Sequence, residues 1–178
     1  MNYFSLFVFF FLLFGSCYSF QNEIVPLEER IIGHWKEDQS TRTNLDEFLK
    51  QVGVSWLRRK IAATVNWENE LMFQSDGDEL ELQMTNGLLK TKINMKINLE
   101  FPTKSTQVDI GEDLGGIVDT TSGIFPNCVI TKLKFPGEIN DYLVVSRTIN
   151  ADSPDEMVMT TKHVPSKTET SSIYRRIN

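Results

Sequence analysis

The chain is poor in cysteine, with two among 178 residues. One of them, Cys17, falls in a stretch read below as a removable leader. Cys128 alone can form no internal disulfide, so stability has to come from packing and backbone pairing. Histidine is as scarce: His34 and His163 are isolated, with no accompanying cluster at metal-ligand spacing. No metal and no cofactor is expected. Cys128 sits in a strand-like run with no His or Asp constellation visible in the sequence, and reads as an inert buried thiol. Gly111, Gly115 and Gly116 lack the spacing and the following Lys-Ser/Thr of a phosphate-cradling loop. Acyl hydrolysis needs an activated nucleophile and a base, and neither is evident, so the chain is not read as an enzyme. No Asn-x-Ser/Thr acceptor occurs. Positive charge is in the minority, 18 Lys and Arg against 24 Asp and Glu, for a net charge of -6. That balance argues against a general nucleic-acid binder.

Long apolar runs are limited to one. Residues 4–14, FSLFVFFFLLF, carry no charge and are followed by the small, polar GSCYS. The run is shorter than the roughly 20 residues of a membrane span. It predicts a signal peptide over residues 1–19, and with it secretion, although no Lys or Arg precedes the run. Residues 20–178 are then one domain, long enough for a substantial core.

Along that domain, residues 20–30 read as a flexible lead-in, and IIGHWKE as a short apolar start around Gly33 and Trp35. Asn44 with Glu47 three places on has the form of a capping box, ahead of a helical stripe of Leu45, Phe48, Leu49 and Val52. Gly53 ends this helix. Ser55 can cap a second one through WLRRKIAATV, whose apolar residues include Trp56, Leu57, Ile61 and Val65. The period then changes to two. ELMFQ, ELELQM, KTKINMKINLEF, CVITKLKF, YLVVSRTI, EMVMTTKHV and TSSIYRRI read as strands, with turn signals at Asp76-Gly77, Asn86-Gly87, Pro136-Gly137 and Ser153-Pro154. The clearest alternation sets Ile93, Met95, Ile97, Leu99 and Phe101 against Lys92, Asn94, Lys96, Asn98 and Glu100. Residues 102–127 have weak periodicity and are expected to hold one or two strands and a long loop. Two short helices followed by many antiparallel strands point to a closed or nearly closed sheet, with a sandwich as the competing arrangement.

The order of these motifs resembles the fatty-acid-binding protein family, the intracellular lipid-binding proteins. The resemblance is carried by Gly33-His34-Trp35-Lys36, by Asn44 to Lys50, and by Val52-Gly53-Val54 with Arg58 to Ala62. It continues through Asp76-Gly77-Asp78, Thr91-Lys92-Ile93, Val144 to Arg147 and Ile173-Tyr174-Arg175-Arg176. It implies an all-β, ten-stranded antiparallel barrel, or β-clam, capped by a helix-turn-helix, with a cavity for a long-chain fatty acid or a retinoid. The leader points within that family to a secreted, nematode-type branch. By the same resemblance Arg147 and Tyr174 take the lipid headgroup. Ser172 stands where the family has a second arginine, and it shares the inward parity of Tyr174. The second helix becomes a portal lid with Trp56, Leu57 and Arg58, joined by Phe101 at a strand end. Its basic residues beside apolar ones suit transient contact with anionic membranes. Glu37 departs from the family, which has an apolar residue two places after the tryptophan.

The guanidinium of Arg147, in line with Leu143, Val145 and Ile149, is costly to bury without a partner. A lipid carboxylate supplies one. The expected function is an extracellular, monomeric, non-enzymatic lipid carrier. The alternative is a secreted interaction protein that uses the barrel and its long loop as a binding surface.

Overall fold

The computed structural model describes residues 25–65, 68–87, 90–98, 105–110, 116–136, 142–150 and 152–177. Residues 1–24, and with them the expected signal peptide and its cut, lie outside the described residues, as does Phe101. The elements run α1 (Leu27–Ile31), β1 (Gly33–Thr43), α2 (Leu45–Gln51), α3 (Trp56–Thr64), β2 (Glu70–Asp76), β3 (Glu79–Asn86) and β4 (Thr91–Asn98). Then follow β5 (Thr106–Asp109), β6 (Ile117–Phe125), β7 (Cys128–Lys134), β8 (Tyr142–Asn150), β9 (Ser153–His163) and β10 (Thr168–Ile177).

All ten strands belong to one sheet in the order β4-β3-β2-β1-β10-β9-β8-β7-β6-β5. Every pairing is antiparallel, and β1 joins the last strand to β2, which turns the meander into a nearly closed barrel. The ladder stays open between β4 and β5. The expected ten-stranded β-clam is the observed fold. The period-two pattern works as the sequence predicts: on β4, Ile93, Met95 and Ile97 are buried and Lys92, Asn94 and Lys96 are exposed. Inward side chains of β2, β3 and β4, namely Leu71, Phe73, Leu80, Leu82, Ile93, Met95 and Ile97, form an apolar wall. Each contributes about 1.5–3 kcal/mol by leaving water.

Three local expectations are corrected. Residues 20–30 are not all lead-in: Leu27 and Ile31, one helical turn apart, put α1 across one end of the barrel with both side chains buried. The Trp35 indole nitrogen donates to the Ile31 carbonyl at 2.8 Å, which satisfies the end of α1 and fixes the tryptophan beneath it. The capping box does not form. Asn44 is left-handed at φ 53° and makes no side-chain cap; its amide donates instead to the Glu169 carbonyl of β10, while Glu47 bonds Gln51 and Lys50. Ser153-Pro154 is the beginning of β9 rather than a turn, a position where a missing backbone N–H costs little. Residues 102–127 hold two strands, as expected: β5 and β6, which complete the barrel.

Gly33 follows from packing. Its φ is +134°, and a Cβ there would stand 2.6 Å from the Arg176 guanidinium. Arg176 lies over the Trp35 ring, 4.2 Å from its centroid, and donates to the carbonyls of Arg30 and Ile32 at 2.6 Å each. The end of the barrel under α1 is thus tied shut by one guanidinium that only a glycine at position 33 leaves room for. At the opposite end α2 packs on β10 and α3 packs on α2.

Candidate ligand-binding site

Cross-strand register brings the inward positions of β6 to β10 and β1 into rows. Opposite residues in an antiparallel pair share a face. One row runs Ile124, Val129, Arg147, Met159, Ser172. The next contains Ile149, Met157, Tyr174 and Glu37. Another contains Ser122, Thr131, Val145 and Thr161. Arg147 is 3% exposed and Ser172 6%, while Tyr174 is fully buried. The three predicted headgroup residues therefore share the inner face. They are not bonded to one another: Arg147 and Ser172 flank Met159, and Tyr174 lies one row along.

Arg147 donates from Nη1 to the Thr131 hydroxyl at 3.0 Å, and its Nε has no partner. No carboxylate among the described residues pairs with it. Burial pushes its pKa down to about 10, with Tyr174 acting in the other direction, so it stays charged at neutral pH. Tyr174 makes no hydrogen bond of good geometry through its hydroxyl, although the Asn69 side chain is near enough to act on it. Its pKa is pushed up by burial first and by Glu37 second, with Asn69, Arg147 and Arg42 opposing. An arginine N–H and a phenol thus face the interior as donors in want of an acceptor.

Sequence reasoning missed the groups around them. Glu37, where the family has an apolar residue, stays in register on β1. It keeps the inward register of Trp35, is 4% exposed, and sits opposite Tyr174. Its carboxylate receives Arg42 Nε at 2.8 Å and Nη2 at 2.7 Å, together with the Asn69 backbone N–H at 3.1 Å. Arg42 reaches it because the β1–β10 register shifts between Asp38 and Thr43. Thr131 and Ser122 were legible by parity, as every second residue of β7 and β6. Nothing in the sequence announced Arg42.

The expected portal residues Trp56, Leu57 and Arg58 all lie on α3. Trp56 and Leu57 on α3 are 63% and 62% exposed, Ile61 and Val65 are also exposed, and the buried residue of this helix is Ala62. The large apolar residues of α3 thus face solvent in place of the core. Arg58 is exposed beside them, and Arg59 turns back to Asp46 and the Val54 carbonyl. Cys128 is half-buried and free, its thiol pKa raised by burial. Among the described residues no group of three or more His, Cys, Asp or Glu is placed to hold a metal ion.

No protein-family model matches the chain. The cellular retinoic acid-binding protein 1 of Gallus gallus is 33% identical over 69 residues, 39% of this chain and 49% of that protein. The match thus spans about half the length of the chicken relative. Among solved structures, the Schistosoma mansoni fatty acid binding protein in complex with arachidonic acid superposes with a TM-score of 0.65. It is 17% identical, and the match covers 85% of this chain and 98% of that one. The apo lipid binding protein 8 of Caenorhabditis elegans gives a TM-score of 0.65 at 17% identity over 84% and 96% of the two chains. These likenesses establish the β-clam fold. They also overturn one expectation. The similar proteins, a chicken cellular retinoic acid-binding protein among them, are of the intracellular lipid-binding kind and not of a secreted nematode-type branch. The expected secretion, the extracellular setting of the carrier and the secreted interaction protein fall with that branch.

Proposed function

We propose that the protein is a non-catalytic carrier of the intracellular lipid-binding type, holding one long-chain fatty acid or retinoid inside its barrel. The observation that carries the reading is Arg147: a guanidinium deep in an apolar sheet, with a free Nε–H and no acidic partner among the described residues. A buried charge in that state is costly until a carboxylate arrives. Tyr174, and Ser172 across Met159, supply further hydrogen-bonding groups for the same head. The tail lies on the apolar wall of β2 to β4, where each methylene removed from water gives about 0.8 kcal/mol. The carrier acts as a monomer. Its lid is α3, and Trp56 and Leu57, exposed beside Arg58 and Lys60, touch anionic membranes during transfer.

The test is a titration of delipidated protein with an environment-sensitive fluorescent fatty acid. Saturable one-to-one binding displaced by oleate is expected. Arg147→Ala should weaken binding of free acids more than of their methyl esters; equal loss for both makes Arg147 a structural residue. Faster transfer to vesicles containing anionic lipid than to neutral ones, lost in Trp56→Ser/Leu57→Ser, checks the lid.

A further inference from the structure

Two guanidinium groups reach the interior near Tyr174, and their surroundings differ. Arg147 donates to the Thr131 hydroxyl at 3.0 Å and leaves its Nε without a partner. Arg42 is clasped by Glu37, its Nε on one carboxylate oxygen at 2.8 Å and its Nη2 on the other at 2.7 Å. That pair is almost sealed from water, with side-chain exposures of 8% for Arg42 and 4% for Glu37. Glu37 stands directly across from Tyr174 in the β1–β10 register, and Glu37, Arg147 and Arg42 all act electrostatically on the Tyr174 phenol. His163, also buried, is bonded to Ser166 at the far end of β9. It lies six residues from Met157, the cross-strand partner of Tyr174, which is roughly 20 Å of strand.

The fork between Arg42 and Glu37 consists of two charge-assisted bonds, and the Asn69 backbone N–H adds a third donor to the carboxylate at 3.1 Å. Glu37 is thus fixed in place, and the two charges of the pair cancel. Around Tyr174 the interior holds two positive charges and one negative. A lipid head with one negative charge brings the sum to zero. A head with two leaves an excess negative charge, close to a carboxylate that is already there. Inside a barrel, where water screens little, such an excess is unfavourable.

Resting on the carrier reading, we propose that Glu37 is a specificity-determining residue: by holding Arg42 it limits the barrel to lipids with a monoanionic head and turns away dianionic heads, such as a malonate or a phosphate monoester. Glu37 does this without touching the ligand. It neutralises the second guanidinium, and Arg147 alone is left to meet the head.

Three lipids sharing one tail make the comparison: hexadecanoate, tetradecylmalonate and the monomethyl ester of tetradecylmalonate. The malonate is hexadecanoate with a second carboxylate beside the first, and the ester keeps that bulk with a single charge. Each is used to displace a fluorescent fatty acid from the delipidated full-length protein at about pH 8, where free carboxyls are ionised. The malonate should need a concentration at least about 10-fold higher than its ester, as one unit charge at roughly 8–10 Å and an effective dielectric constant of about 20 implies. In Glu37→Gln, which keeps the shape and removes the charge, that ratio should fall about 10-fold, to near one. In Glu37→Leu/Arg42→Met, which removes one charge of each sign, it should stay within about threefold of the unmodified protein's. Because each readout is a ratio within one protein, a general loss of affinity cancels. Circular dichroism checks folding, and the double variant serves alone if Glu37→Gln does not fold. Three results overturn this inference: equal displacement by malonate and ester in the unmodified protein, a ratio unmoved in folded Glu37→Gln, or a ratio near one in the double variant. With hexadecanoate still displacing the probe, the carrier reading stands in each case. Displacement by none of the three lipids removes the carrier reading and this inference together.

Discussion

If Arg147 awaits a ligand, the empty protein should be more stable without it. Burial holds its pKa down from 12.5 to about 10. At about 1.4 kcal/mol per unit, keeping the guanidinium charged in the folded state costs on the order of 3 kcal/mol. The bond to Thr131 returns about 1.5–3 kcal/mol of that, as hydrogen bonds to charged groups do. Arg147→Met fills a similar volume without charge and leaves Thr131 bonded to Ser122. The delipidated variant should therefore gain about 1 kcal/mol in urea unfolding. Fatty acid reverses the order. At a free concentration about 100 times its Kd, a ligand stabilises the unmodified protein by about 2.7 kcal/mol. The variant, its affinity for acids reduced, should gain much less at the same concentration. The signature is a crossing: variant above wild type when empty, below it when loaded. A delipidated variant less stable than wild type would refute the reasoning, because it would mean that the charge is already compensated inside the empty barrel.

Three other perturbations follow from the same interior. Glu37→Leu takes the bidentate carboxylate from Arg42 and should cost about 3–5 kcal/mol in urea unfolding. Glu37→Leu/Arg42→Met removes both charges and should lie close to wild type, and a double variant as unstable as the single one would count against a buried pair. Gly33→Ala places a methyl group against the Arg176 guanidinium at a φ that L-residues rarely adopt, and should cost about 1–3 kcal/mol; crystallography or nuclear magnetic resonance should show Arg176 displaced from Trp35. Tyr174 has its pKa raised above 10.0 by burial. Its contribution is fully present below that value and is lost as pH rises beyond it, because the unfolded phenol ionises first. Stability above about pH 10 should therefore fall more steeply, by up to about 1.4 kcal/mol per pH unit, in wild type than in Tyr174→Phe. Identical slopes would mean that Tyr174 ionises freely in the fold.

Much of this architecture was legible because a barrel strand writes its inner face at every second residue. Ile93, Met95 and Ile97 announced β4, and Leu143, Val145, Arg147 and Ile149 announced the face on which Arg147 lies. What failed was decided by contacts distant in sequence. Asn44 has the local chemistry of a helix cap, but the Glu169 carbonyl, 125 residues away, takes its amide. Leu27 and Ile31 make too short a stripe to declare a helix, and only the barrel end gives them something to bury against. The stripe of α3 has a helical period, yet periodicity reports that a face exists without saying what covers it. Glu37 stands out from the family's apolar pattern, and its partner Arg42 arrives through a register shift that no spacing rule encodes.

That register shift also bears on the charge of the interior. By family resemblance position 172 holds a second arginine beside Tyr174, and here it is Ser172. A guanidinium is present near Tyr174 all the same, on Arg42, but Glu37 holds it with two hydrogen bonds. The two charges cancel within the pair. Around Tyr174 the net positive charge is then that of Arg147 alone. A headgroup bearing one negative charge neutralises it, whereas a dianion would bring a second charge close to the Glu37 carboxylate with nothing to balance it. Buried charge at effective dielectric constants well below that of water penalises such an excess by several kcal/mol. The exchange of an arginine for Ser172 and the Glu37–Arg42 pair are thus two sides of one electrostatic condition. On the proposed carrier reading, both leave one uncompensated positive charge in the interior, that of Arg147, to be met by one acidic head.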